Sequence, residues 1–220
     1  MTQALWFVPY LVAAVVHVSS LALGEAPIAE PTKFMLMPLL IVALVATLRR
    51  RLQRADVLML CALILCWVGD IFVSSADDSA FLIGLAGFFL AHVLYLVIFR
   101  LELVHDRIPR AAVALLLWWP GMLWLLHPYL GFFFVPLAVY GFVIALSTAA
   151  ALATNRFIAV GAVAFLISDT VLAYALFAPQ RAWWNADAII MFFYALAQLL
   201  IVLGFLREQV PTVNAANVTE

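Results

Sequence analysis

Asp70 and Asp169 are the residues of this chain best placed for acid–base chemistry, because each stands inside a long apolar run where charge is expensive. Only 12 of the 220 residues are acidic, and most of the others fall between the apolar runs. An ionisable group inside a membrane-spanning helix must be paired, hydrated or used. Two such carboxyls in comparable places, one in each half of the chain, suggest a single polar site shared by two helices.

Other polar groups fall at similar depths. His17 interrupts the first apolar run, Lys33 precedes the second, and His92 lies mid-run with Tyr95 one turn further on. Ser168 adjoins Asp169. In the last run Asp187, Met191, Tyr194 and Gln198 recur at intervals of four, three and four, which places them on one helix face. Each also has a plainer account: His17 satisfying a backbone carbonyl, Tyr194 and Gln198 bonding between helices. Gly84, Gly87 and Ala91 form a small-residue face suited to close helix contact.

The elements that must position these residues follow from composition. With 68% hydrophobic and 10% charged residues the chain is not a soluble globular domain. Apolar runs at Leu5–Leu23, Phe34–Leu48, Ala55–Val73, Phe81–Phe99, Pro109–Leu126, Leu130–Ala151, Phe157–Phe177 and Trp183–Leu206 predict an all-α polytopic membrane protein, a compact bundle of eight transmembrane helices. Residues 1–208 then form one domain, with a faint parallel four-helix repeat, and residues 209–220 a flexible tail. The first run lacks a basic leader and a good cleavage signal, so it reads as a retained helix. Cys61 and Cys66, five apart on one helix, point to different faces and do not predict a disulfide.

Charge sets the expected orientation. Arg49, Arg50, Arg51, Arg54, Arg100, Arg107, Arg110, Arg156 and Arg207 share one side, against Lys33 and Arg181 on the other. The positive-inside rule then puts both termini in the cytoplasm. Arginines beside membrane helices are ordinary topology determinants, so no nucleic-acid partner is expected. They also suit anionic lipid headgroups. No HExxH pattern or dense ligand cluster predicts a metal, and Ser168 lacks a nucleophile-elbow context. On these grounds an enzyme, a transporter and a structural membrane protein all stay open, since intramembrane acids and histidines also build proton pathways.

The motifs narrow the field. Pro31-Thr32-Lys33-Phe34-Met35-Leu36-Met37-Pro38-Leu39, Cys66-Trp67-Val68-Gly69-Asp70 and Phe88-Phe89-Leu90-Ala91-His92-Val93-Leu94-Tyr95 occur in the first half. Gly161 to Asp169 and Tyr194-Ala195-Leu196-Ala197-Gln198 follow in the second. In order and spacing the chain resembles the YhhN family, whose animal members are transmembrane lysoplasmalogenases; the family's lysine–proline pair is Lys33-Phe34 here. The resemblance implies cleavage of the alkenyl ether of a lysoplasmalogen to a fatty aldehyde and glycerophosphoethanolamine or glycerophosphocholine. It implies a lysophospholipid or other lipid substrate, with membrane lipids as further partners and no cofactor. The expected setting is the bacterial inner membrane, and the expected state a monomer, with an oligomer left open. Asp70 and Asp169 would be the catalytic pair. A vinyl ether resists hydroxide but reacts once its distal alkene carbon is protonated, so one carboxylic acid and one carboxylate suffice. Glycoside hydrolysis meets a related oxocarbenium problem with the same pair. His17, Lys33, His92, Tyr95, Ser168, Asp187, Tyr194 and Gln198 would bind substrate or support the acids. A transporter or lipid-binding protein using the same acids is the alternative.

Overall fold

In lipid a chain must satisfy its backbone hydrogen bonds internally, and apolar runs of about 20 residues do so as helices. The computed structural model describes residues 4–48, 50–73, 75, 77–103, 106–179 and 184–216, and every regular element among them is helical. A 3-10 turn leads into α1 (Val8–Leu23), followed by α2 (Ala26–Thr47), α3 (Arg54–Phe72) and α4 (Asp78–Val97). A π turn, Ile98–Glu102, closes α4. The second half holds α5 (Val113–Leu130), α6 (Phe134–Ala151), α7 (Arg156–Phe177) and α8 (Ala186–Ala216). The expected tail, 209–220, overlaps the end of α8; residues 217–220, with Arg49, Ser74, Arg181 and Trp183, lie outside the described residues.

α2 departs from expectation by starting at Ala26 rather than Phe34, so Lys33 lies within the helix instead of at its start. Glu30 and Lys33 break the apolar run without breaking the helix. Proline is tolerated in a first turn, where its missing N–H has no partner to lose, and α2 opens with one there. Pro31 and Pro38 then lie inside the helix.

Among the described residues, seven helical segments are long and apolar enough to cross a membrane, and the chain is an integral membrane protein. The fifth segment, Arg110–Ala151, has 42 residues. It contains both α5 and α6, separated by a 3-10 turn at Gly131–Phe133 where Gly131 takes a φ of 47°. The two ends of this segment meet: the backbone N–H of Asp106, before it, donates to the carbonyl of Ala153, after it, at 2.7 Å.

Further contacts gather the arginine-bearing connections at that same end. Arg54 pairs with Glu102 at 3.2 Å, and the Asn155 amide donates to Glu208 at 3.0 Å. Arg50 makes a two-pronged bond to the buried Asp56 at 2.7 and 3.0 Å, and Asp56 also accepts from the backbone of Gln53 to cap α3. Arg207 stacks over the Phe157 ring at 3.7 Å.

Two helix pairs pack unusually close, and both do so through glycine. A Cβ on Gly84 of α4 would lie 2.5 Å from the backbone nitrogen of Val73, and one on Gly87 would lie 2.9 Å from the carbonyl of Leu65 in α3. The small-residue face read from the sequence is therefore the α3–α4 seam. In the second half, Gly161 of α7 and Gly204 of α8 play the same part, each with backbone atoms of the facing helix 2.9 Å from its would-be Cβ. Without a hydrophobic drive between helices in lipid, such close contact is a main source of cohesion.

Gly84→Ala should therefore destabilise the protein by about 1–3 kcal/mol, the usual cost of overpacking. Gly121→Ala, in open space on α5, should cost nothing and gain helix propensity instead. Thermal unfolding in detergent of the two variants tests this; equal melting temperatures would show that the α3–α4 seam is not tight.

Candidate active site

The glycine seams fix where the acids stand. Asp70 lies two residues before the end of α3, and only 4% of its surface is exposed. Asp169 lies past the middle of α7 and is half-buried. Both line one cavity of about 350 Å³, far more than the roughly 10–15 Å³ that a single water needs. The cavity lies toward the end of the bundle opposite the arginines. There α3 ends, α2 and α8 begin, and α1 presents its second half.

Each carboxyl is held by a phenol from another helix. Tyr194 of α8 donates its hydroxyl to Oδ2 of Asp70 at 2.7 Å. Tyr140 of α6 donates to Oδ2 of Asp169. The two dyads therefore draw on four different helices.

Of the other residues singled out in the sequence, His17, Lys33, Ser168, Asp187 and Tyr194 share this cavity wall. Lys33 lies within electrostatic reach of both Asp70 and Asp187. Asp187 is exposed in the first turn of α8. Ser168 donates to the carbonyl of Ile190 at 2.9 Å, tying α7 to α8. Nδ1 of His17 lies 3.0 Å from the carbonyl of Ala29. A carbonyl only accepts, so Nδ1 carries the proton, and Nε2 has no protein partner among the described residues.

His92, Tyr95 and Gln198 do not line the cavity. They lie behind an aromatic layer in which Phe165 packs edge-to-face on Phe88, His92 and Tyr194, with centroids 6.3, 4.6 and 5.4 Å away. Behind it, Tyr95 donates to Oε1 of Gln198 at 2.7 Å, and Nδ1 of His92 meets the Ser147 hydroxyl at 2.9 Å. Ser147 itself donates to the carbonyl of Ile144 at 3.0 Å, so His92 is the donor in that pair. The α8 stripe is thus split in depth: Asp187, Met191 and Tyr194 face the cavity, while Gln198 bonds one turn further in.

Tyr140 escaped the sequence reading. The available signal was its seven-residue spacing from Ser147, which puts two polar groups on one face of a helix whose remaining polar side chain is Thr148. His92 packs against the Tyr140 ring at 6.0 Å, so the deeper polar group reaches the site through this phenol. Among the described residues no group of three or more His, Cys, Asp or Glu side chains is arranged to hold a metal ion.

The arrangement can do proton chemistry: two carboxyls oriented by phenols, a lysine, and room for water and a small polar group. The human protein named lysoplasmalogenase TMEM86B is 33% identical over 141 residues, which covers 60% of this chain and 57% of that protein. The chain therefore matches little more than half the length of that relative. No solved structure matches. Residues 29–205, which include both dyads and all the cavity residues except His17 and Leu21, match the YhhN family, and the chain belongs to it.

Proposed function

We propose that this protein is a lysoplasmalogenase-like membrane hydrolase that cleaves the alkenyl ether of lysoplasmalogen to fatty aldehyde and glycerophosphoethanolamine or glycerophosphocholine. One observation carries the reading: two carboxyls from opposite halves of the chain stand on the walls of one cavity, each oriented by a tyrosine. The name of the human relative supplies the substrate class.

In this reading one acid, in its neutral form, donates a proton to the distal alkene carbon, and the other, as carboxylate, steadies the oxocarbenium ion and takes a proton from the attacking water. The phenols fix which carboxyl oxygen meets the substrate, since each engages Oδ2. Lys33 meets the lipid phosphate, with His17 and Asp187 completing the polar wall. No step calls on a cofactor, and one chain supplies every group.

The membrane arrangement belongs to the same proposal. A 42-residue segment whose ends meet must go and return, so α5 and α6 are read as two crossings. That gives eight crossings in the bacterial inner membrane, with the arginine end and both termini cytoplasmic. The cavity then opens toward the outer half of the bilayer. An impermeant thiol reagent applied to intact cells should label Ser79→Cys and spare Arg51→Cys. The reverse pattern would overturn the orientation.

The chemical test uses detergent-solubilised protein, lysoplasmalogen and mass spectrometry of the aldehyde. Without two compartments, turnover cannot be transport. The ester-linked lysophospholipid should remain intact, because its hydrolysis requires attack at a carbonyl. Asp70→Asn and Asp169→Asn should each cut turnover about 100-fold or more, with the protein still folded. No aldehyde from folded protein with either headgroup would favour a lipid-binding or transport role.

The phenols give an independent check. Hydrogen bonds between membrane helices are worth about 0.6 kcal/mol on average and rarely above 1.7. Tyr140→Phe should therefore cost about 1 kcal/mol of stability or less while lowering turnover about tenfold or more. A variant that unfolds but shows full activity per folded molecule would make Tyr140 a structural residue only.

A further inference from the structure

Resting on that reading, we propose that the apolar slot enclosed by α4, α5, α6 and α7 receives the alkenyl chain, and that its junction with the polar cavity makes Asp169 the proton donor and Asp70 the base. The slot, of about 80 Å³, is walled by residues such as Phe81, Leu126, Ala173 and Leu176. It shares Val73, Phe88, Asp169, Leu172 and Leu176 with the polar cavity, so the two spaces adjoin along that wall. Asp169 lines both; Asp70 lines only the polar one.

The polar groups on the slot wall are already engaged. Trp118 donates to the Thr170 hydroxyl at 3.2 Å, Trp119 to the carbonyl of Ala138 at 3.0 Å, and Tyr140 to Asp169. What remains is apolar surface ending at one carboxyl group. A hydrocarbon joined to a reactive head matches that surface, since it brings no polar group that the wall would leave unpaired. The groove between α1 and α8, of about 260 Å³, is larger than the slot. It shares no wall residue with the polar cavity, so a chain lying there would not deliver its ether to the acids.

Chain direction then assigns the acids. In R–CH=CH–O–R′ the carbon that accepts the proton bears the hydrocarbon, and the carbon that accepts water bears the oxygen. With R in the slot, the first faces Asp169 and the second faces the polar cavity. Asp169 gives its proton to the R-bearing carbon, and the alkene pair with the oxygen lone pair forms R–CH2–CH=O⁺–R′. Asp70 removes a proton from water as its oxygen adds, giving the hemiacetal R–CH2–CH(OH)–OR′. Asp70 returns that proton to the ether oxygen, Asp169 takes the hydroxyl proton, and the C–O bond breaks to aldehyde and alcohol. Both acids end as they began.

Two measurements on the purified full chain test this. Ala173 lies one turn beyond Asp169 on the same face of α7, so Ala173→Phe narrows the slot beside the acid. It should lower kcat/KM for a hexadecenyl lysoplasmalogen about tenfold or more, and by a clearly smaller factor for a butenyl analogue that fills less of the slot. An unchanged melting temperature in detergent reports a folded protein. Azide, small enough for the polar cavity, should capture the oxocarbenium ion in Asp70→Asn and yield an α-azido ether detectable by mass. In Asp169→Asn, where no cation forms, it should yield none. Equal losses at both chain lengths, or an adduct from Asp169→Asn or from neither variant, would overturn the assignment while wild-type turnover upheld the hydrolase. Failure of the wild type to release aldehyde would instead defeat the hydrolase reading itself.

Discussion

Each intramembrane carboxyl of this protein is held by a phenol from a different helix, and the rest of the site depends on that pairing. A bare carboxylate in lipid is costly enough to be rare and is almost always directed inward to a partner or to water. Tyr194 on Asp70 and Tyr140 on Asp169 supply those partners without neutralising the acids, as a lysine or arginine at hydrogen-bond distance would. A phenol leaves a carboxyl free to exchange a proton. The pairing thus satisfies the membrane and keeps the chemistry available.

The packing explains how two such dyads come to face one space. Glycine seams draw α4 onto α3 and α8 onto α7, so each acid-bearing helix is locked to a neighbour. Because α8 carries both Gly204 and Tyr194, the seam that fixes α7 also delivers the phenol of Asp70. The deeper pairs, Tyr95 with Gln198 and His92 with Ser147, bond between helices behind the aromatic layer. Their effect on the site runs through packing, above all through the Tyr140 ring.

Much of this was legible in the chain itself. Acids within apolar runs are conspicuous, because so few charges occur there, and the Gly84–Gly87 spacing marked a real seam. The period of four, three and four on α8 foretold a polar face, though not its division between cavity and core. What escaped had a physical cause in each case. Tyr140 looks like any aromatic in an apolar helix until its hydroxyl finds an acid on the helix that follows. The start of α2 was hidden because hydropathy reads Glu30 and Lys33 as a boundary, whereas a helix is indifferent to polarity at its end. The apolar slot is invisible to any single-helix argument, since four helices contribute its walls.

The central claim is that Asp70 and Asp169 act together on one bound substrate, and a double-mutant cycle on aldehyde release tests it most directly. Groups that act as a unit lose most of their joint effect when either is removed. The double variant Asp70→Asn with Asp169→Asn should therefore be about as slow as the slower single variant. Losses that multiply across the cycle would mean that the two carboxyls act independently, and would contradict a shared reaction in one cavity.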